Sequence, residues 1–283
     1  MTDEATPVAH PFLKWLGGKA QLLDELSKHV PTTFGRYYEP FLGGGAFFFH
    51  LAARPAWLTS AVLGDQNGDL VDTYKVIRDD VDPLIRSLRR YERLYDTTHR
   101  NRKRIYYATR ARKIATSNNV GRAARIIFLN RTGFNGAYRV NLSGGFNVPM
   151  GRYANPTICD PENLRACARA LRHARILHGD FEDFSLGASR GDFWYADPPY
   201  VPRSASSDFT AYTKEPFGPA EQERLARLAA RLKKKGVHVL LSNSSTPFVR
   251  KLYKGFSMRR VQARRNINSR ADRRGHIDEL LIW

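Results

Sequence analysis

The most chemically specific feature of the sequence is Asp197-Pro198-Pro199-Tyr200, which closes the apolar run Asp192-Phe193-Trp194-Tyr195-Ala196. Two consecutive prolines hold the backbone extended and remove two N–H donors, so the segment presents acceptors, a carboxylate and peptide carbonyls. Tyr200 adds an aromatic face. Acceptors beside a stacking ring suit an exocyclic amino group on a planar base; the purely structural alternative is a rigid strand-to-loop turn. A second group is Phe41-Leu42-Gly43-Gly44-Gly45, after a short predicted strand and ahead of a predicted helix. Glycines there let a ligand approach the main chain closely. Asp65 ends the next strand 20 residues after Gly45, the separation at which an acid reaches ribose hydroxyls. The turn lacks the last glycine of a dinucleotide fingerprint, and Gly17-Gly18-Lys19 lacks the leading glycine and trailing Ser or Thr of a P-loop. A glycine turn and a ribose acid without a pyrophosphate site point to an adenosine-containing ligand such as S-adenosylmethionine. Cys159 and Cys167 are the only cysteines, and no histidine pair accompanies them. They make neither a disulfide framework nor a metal site and read as two core thiols in a reducing compartment.

These groups need a scaffold that places strand ends side by side. Lys19–Val30 has helical spacing (Leu22, Leu23, Leu26) with Pro31 beyond it, and Arg36–Glu39 reads as a short strand. Ala46–Ala53 is a predicted helix and Ala61–Asp65 a buried strand. Arg175–Asp180 and Asp192–Asp197 are two more apolar strands, each ending in Asp. Glu221–Lys235 is amphipathic and stops at Gly236; Val237–Leu241 and Glu279–Trp283 are the last predicted strands. Strands alternating with helices predict an α/β fold with a mostly parallel sheet. Ligands of such sheets bind beyond the carboxyl ends of the strands, where Asp65, Asp180 and Asp197 fall.

Charge divides the chain. The 283 residues carry a net charge of +19, and 42% are hydrophobic, which excludes a disordered or fibrous chain. Residues 86–152 hold 16 Lys or Arg against only Glu92 and Asp96. This stretch reads as a basic insertion in a nearly neutral chassis, and its excess charge favours nucleic acid as partner. A second basic cluster comprises Arg259, Arg260, Arg264, Arg265, Arg270, Arg273 and Arg274. Leu70–Arg78, Leu84–Leu94 and Arg122–Leu129 have helical spacing. In residues 130–149, Asn-Gly and Gly-Gly punctuate alternating residues, which predicts a β-hairpin able to enter a DNA major groove. The basic helices over Arg86–Lys113 are expected to hold phosphates rather than read bases. No apolar run is long enough for a membrane span and no signal peptide is legible, so a cytoplasmic protein is expected.

Four segments in one order resemble the DNA adenine methyltransferase (Dam) family, the class alpha N6-adenine DNA methyltransferases. They are Phe12-Leu13-Lys14-Trp15-Leu16-Gly17-Gly18-Lys19, Glu39-Pro40-Phe41-Leu42-Gly43-Gly44-Gly45, Asn130-Arg131-Thr132-Gly133-Phe134-Asn135-Gly136 and Asp197-Pro198-Pro199-Tyr200. The likeness continues through Asn147–Tyr153 and Asp278-Glu279-Leu280-Leu281. It implies a seven-stranded Rossmann-like methyltransferase sheet, with residues 1–68 and 154–283 as catalytic domain. Residues 69–153 would be an inserted helical and β-hairpin target-recognition domain. It further implies S-adenosylmethionine as donor, held by Trp15, Lys19, Phe41, Gly43, Gly45, Asp65, Asp180, Phe181 and Asp197. Asp197, Pro198, Pro199 and Tyr200 would form the catalytic corner. Lys14, Phe134, Asn135, Ala137, Arg139, Asn141, Pro149 and Arg152 would contact double-stranded DNA. GATC is the implied site, although Phe134 stands where Tyr is common and Ala137 where a bulkier Leu often meets a thymine methyl. A monomer without a metal, nucleoid-associated and of bacterial or phage origin, is expected.

On this reading the target adenine is flipped from the stack, Phe134 fills the gap, and Asp197 with the Pro198 carbonyl accepts the two amino hydrogens. Ser204–Phe217 reads as a lid or a solvated loop. Other amino targets (cytosine N4, RNA adenine, protein glutamine) remain rivals, as does a DNA-binding regulator without catalysis.

Overall fold

A strand buried on both faces reads as an unbroken apolar run, and two such runs flank the short first strand in the sheet. Ala61–Asp65 is β2, buried up to its final Asp, and all four residues of Phe193–Ala196 are buried in β4. The structure, a computed structural model, describes residues 7–15, 17–54, 58–141, 144–200, 217–264 and 276–283. The other strands are β1 (Tyr37–Glu39), β3 (Ala174–His178), β5 (His238–Ser244), β6 (Met258–Arg264) and β7 (His276–Ile282). The helices are α1 (Leu23–Ser27), α2 (Ala46–Ala52), α3 (Gly68–Asp79), α4 (Val81–Tyr95), α5 (His99–Ala111), α6 (Asn119–Thr132), α7 (Pro161–Leu171), α8 (Phe181–Ser185), α9 (Pro219–Lys234) and α10 (Pro247–Leu252). They fall into two compact units. The first is Met1–Gly18, Gly43–Ala53 and Asn67–Ile176; the second is Lys19–Leu42, Arg54–Gln66 and Leu177–Trp283.

The second unit carries six strands of a seven-stranded sheet whose order is β3-β2-β1-β4-β5-β7-β6; of β3, only Leu177 and His178 belong to it. β1 pairs parallel with β2 and β4, and β4 parallel with β5. The chain steps outward from β1 to β2 on one side and from β4 to β5 on the other. The crevice at the carboxyl ends of β1 and β4 is therefore the topological switch point, where ligands of open α/β sheets bind. β7 runs antiparallel between β5 and β6. Its beginning, rather than its end, therefore lies at that edge of the sheet, with Glu279 opposite Ser244. Leu225, Leu228, Ala229 and Leu232 of α9 pack with Trp194, Val239 and Leu241 into the core of this unit.

In the first unit, α6 is the central helix. Ile126, Ile127, Phe128 and Leu129 are buried in it, and Phe128 stacks on Tyr91 of α4 with ring centroids 4.7 Å apart. α3 is started by Asn67, whose side chain accepts the Leu70 N–H, the local chemistry that favours Asn at a helix N-terminus.

Two expectations need correction. The predicted Lys19–Val30 helix is a 3-10 turn, Lys19–Gln21, followed by the five-residue α1, because Leu22 adopts a non-helical conformation between them. The predicted hairpin over 130–149 begins inside α6 and contains a short 3-10 turn at Phe134–Gly136. It closes through two isolated bridges, Gly133 with Met150 and Val140 with Phe146, rather than a ladder. β6 was unforeseen: Arg259 and Arg260 of the second basic cluster lie on this edge strand, ion-paired to Glu25 and Asp278. Charged residues protect such an edge against further pairing. Arg265, Arg270, Arg273 and Arg274, and residues 204–216 of the expected lid, lie outside the described residues.

Candidate active site

At the carboxyl end of β4 the chain turns through Asp197-Pro198-Pro199-Tyr200, and several groups of the second unit converge on it. Lys19, only 7% exposed, places its ammonium 2.8 Å from Asp197 Oδ1 and 3.7 Å from Glu279 Oε2. Ser242 Oγ donates to the same Asp197 Oδ1 at 2.8 Å and is itself 3.0 Å from the Tyr195 hydroxyl. Tyr200 donates its hydroxyl to Glu279 Oε2 at 2.6 Å, and the Lys19 ammonium lies 4.8 Å from the Tyr200 ring centroid. Gln222, fully buried, donates to the Pro199 carbonyl at 2.8 Å and accepts from Asn243 Nδ2 at 3.0 Å, which fixes the turn from below. Among the described residues, no hydrogen bond takes up Asp197 Oδ2 or the Pro198 carbonyl. Burial, then the Asp197 and Glu279 carboxylates, hold the Tyr200 phenol well above its ordinary value. Burial also raises the Glu279 carboxyl, opposed by Lys19 and by the Tyr200 hydrogen bond.

The other strand-end acids of this unit have structural partners. Asp180 caps α8 by accepting the Glu182 N–H at 2.9 Å and is ion-paired with Arg224. Phe181 stacks on Phe41, with centroids 5.3 Å apart and planes at 27°, and Arg224 lies 4.3 Å from the Phe181 ring centroid. Asp65 is half-buried, and its main-chain carbonyl accepts the Gly179 N–H at 3.3 Å.

The first unit holds the glycine turn. Gly43 (φ +49) and Gly45 (φ +65) occupy left-handed backbone that an ordinary side chain rarely adopts. A Cβ on Gly43 would sit 2.9 Å from the Trp15 indole nitrogen, and one on Gly45 2.6 Å from the Tyr74 hydroxyl. Protein side chains thus approach both glycines closely. Trp15 also stacks on Tyr138, 5.9 Å between centroids, and Tyr138 donates to Asp69 Oδ2 at 2.9 Å.

Apart from Lys14, the residues expected at DNA lie together on one loop of the first unit. Phe134 is 51% exposed; Arg139, Asn141, Pro149 and Arg152 are exposed, and Asn135 and Ala137 half-exposed. Arg139 Nε donates to Asn147 Oδ1 at 2.7 Å, and Asn141 Oδ1 accepts the Gly145 N–H at 2.7 Å. Phe134 is presented by a strained turn: Asn135 (φ +54) and Gly136 (φ +61) are both left-handed. Asn130, 1% exposed, ties this turn to Lys14: it accepts the Lys14 N–H (2.9 Å) and donates to the Lys14 and Gly136 carbonyls (2.8 and 2.7 Å). The Lys14 ammonium lies 3.7 Å from the Tyr153 ring centroid. The returning arm is fixed by α5, through Tyr106 and Arg110, which donate to the Val148 carbonyl at 3.0 and 3.1 Å.

Comparison with known proteins gives the chain its family. The profile of the D12 class N6 adenine-specific DNA methyltransferases matches residues 15–267. The chain belongs to this family. It is similar to the type II methyltransferase M.MjaIII of Methanocaldococcus jannaschii, 42% identical over 96% of this chain and 98% of the relative. It is also similar to the type II methyltransferase M1.LlaDCHI of Lactococcus lactis subsp. cremoris, 40% identical over 96% and 94%. The DNA adenine methylase of Escherichia coli K12 is 35% identical over 95% and 93%.

As a D12 methyltransferase the chain is an adenine-specific DNA-modifying enzyme, and the reading of a non-catalytic regulator falls away. Sequence reasoning assigned no role to Glu279, Ser242, Gln222 or Asn130. A legible signal for two of them was Ser242-Asn243-Ser244 and Gln222: polar residues that continue an apolar strand or helix face and, in the structure, are buried. Part of the basic insertion serves the fold itself. Arg122 pairs with Asp69 and Asp72, and Arg125 donates to the Thr109 and Arg110 carbonyls at the end of α5. Arg100, Lys103, Arg104, Arg112 and Lys113 remain exposed. Burial raises the Cys159 and Cys167 thiols to about 11 and about 12, consistent with core thiols. Among the described residues no helix is long and apolar enough to cross a membrane, and no cluster of three or more His, Cys, Asp or Glu could hold a metal.

Proposed function

We propose that this enzyme methylates the N6 amino group of an adenine flipped out of double-stranded DNA, with S-adenosylmethionine as donor and GATC as the first site to test. The observation that carries the reading is the division of labour at Asp197. Oδ1 is occupied by Lys19 and Ser242, while Oδ2 and the Pro198 carbonyl take no hydrogen bond among the described residues. Two acceptors at a topological switch point match the two hydrogens of a primary amine.

The donor set fits an adenosyl sulfonium. Aromatic faces at Phe41 and Phe181 suit an adenine, and Asp65 and Asp180 stand at strand ends where ribose hydroxyls are held. S-adenosylmethionine, when bound, supplies a methyl group already activated on sulfur. Phe41, Asp65, Asp180, Phe181, Lys19 and Asp197 of the second unit would hold it. Trp15, Gly43 and Gly45, the remaining residues of the family pattern, support a packed turn in the first unit.

The chain's own contribution is orientation and electrostatics. An adenine amino nitrogen is a poor nucleophile because its lone pair is delocalised into the ring. Asp197 Oδ2 and the Pro198 carbonyl would accept its two N–H groups and draw the nitrogen toward tetrahedral geometry, localising the lone pair. Tyr200 would stack on the base. Flipping costs a few kcal/mol, and Phe134 would offset part of it by stacking in the gap, worth about 1–3 kcal/mol. Arg139 would read a guanine through its O6/N7 edge, and the exposed cations of α5 would hold phosphates outside the site. Residues 69–153 would thus act as target-recognition domain and the sheet as catalytic domain of a monomer.

Mass spectrometry of nucleosides from treated duplex DNA, with sequencing of the modified bases, tests the reading. N6-methyladenine within one short sequence is expected. N4-methylcytosine, or transfer to RNA or protein alone, would overturn it.

A further inference from the structure

Glu279 has no part in the reading above, yet its carboxylate is the anchor of two groups that do. It stands on β7, hydrogen-bonded between β5 and β6, so the sheet holds it on both sides, opposite Ser244 and Val261. It is 9% exposed. Its Oε2 accepts the Tyr200 hydroxyl at 2.6 Å, within the range of short charge-assisted O–H···O bonds, and lies 3.7 Å from the Lys19 ammonium. One ammonium therefore serves two carboxylates, Asp197 at 2.8 Å and Glu279 beyond it. An aromatic ring joined to the chain only through its own side-chain torsions can swing; one also held by its hydroxyl to a strand paired on both sides is restrained.

We propose that Glu279 is a positioning residue for the methyl-transfer step: it fixes the Tyr200 ring by its hydroxyl, so that the stacking face is set before the base arrives. The proposal rests on the adenine-N6 reading and deepens it. Burial and the two neighbouring carboxylates keep the Tyr200 phenol protonated at neutral pH, so it remains a donor to Glu279. Removing the hydroxyl or its acceptor should cost the chemical step through lost preorganisation while leaving the binding of donor and DNA nearly intact.

The test is a double-mutant cycle read by single-turnover methylation of a duplex, with donor and DNA affinities measured alongside. Tyr200→Phe, which removes one oxygen, should slow the step about 10-fold, the usual scale for one hydrogen bond to a charged group. Donor and DNA affinity should move by less than about 3-fold. Glu279→Ala should slow it at least as much in the wild type and cost clearly less in the Tyr200→Phe background, because the two share the hydroxyl–carboxylate contact while Glu279→Ala also removes the one to Lys19. Glu279→Gln, which keeps an acceptor, should restore most of the rate and replaces Glu279→Ala in the cycle if that variant does not fold. Additive losses, an unchanged rate in Tyr200→Phe, or a loss confined to donor affinity would each overturn the positioning role. A wild type that yields no N6-methyladenine overturns the functional reading and this inference with it. A wild type that yields it while Tyr200→Phe is unaffected overturns this inference alone.

Discussion

The Asp197 corner and the Phe134–Arg152 loop solve opposite physical problems. At the corner, Lys19, Asp197 and Glu279 are charged groups largely withdrawn from water, and each is held by another. A buried charge without a partner is costly, and a pair in low dielectric is strongly fixed, so such an array is preorganised before substrate arrives. In the loop, Phe134, Arg139 and Arg152 face solvent, and order comes from underneath. Asn130, Tyr106 and Arg110 grip its main chain, while Phe134 stays exposed and Arg139 leans on Asn147 at the surface. The groups proposed to react are held through their side chains, and those proposed to read DNA mainly through their backbone.

The largest effect that would sharpen this contrast is at the corner. Asp197→Ala should reduce methyl transfer by about 10³-fold or more, the scale for removing a preorganised electrostatic group. Duplex affinity, measured by titration, should stay within a few-fold; equal loss of both would break the distinction. In the loop, Arg139→Ala should lower discrimination at one base pair by about 1–3 kcal/mol, the worth of a bidentate contact. Competition between cognate and altered duplexes checks this, and a uniform drop across all sequences would reassign Arg139 to phosphate. Phe134→Ala should reduce flipping by about 1–3 kcal/mol, read as a weaker rise in 2-aminopurine fluorescence at the target position. The smallest effect expected is on the thiols. With values near 11 and 12, Cys159 and Cys167 are almost wholly protonated at pH 8, so an alkylating reagent should leave activity unchanged.

The parallel part of the fold was legible because its strands announce themselves: β2 and β4 are unbroken apolar runs, each leading into an Asp. The antiparallel edge was less so. β6 sets Arg259, Arg260 and Arg264 around Val261, Gln262 and Ala263 and reads as a basic patch, since an edge strand tolerates charge where a central one does not. The helical insertion followed from the periodicity of α3, α4 and α6. The loop after α6 did not become a ladder, because turn chemistry specifies where a chain reverses without specifying how many bridges form. Of the candidate site, Asp197 and Tyr200 were visible as a tetrapeptide. Glu279 was hidden because it reaches the corner from a strand running the other way, a placement that only register reveals.

The account turns on where the target amine sits. A structure of the enzyme with a cognate duplex and a non-reactive donor analogue tests this most directly. It should place the flipped adenine nitrogen about 2.7–3.2 Å from both Asp197 Oδ2 and the Pro198 carbonyl. A flipped base whose amine meets neither acceptor, or an adenine left in the stack, would contradict it.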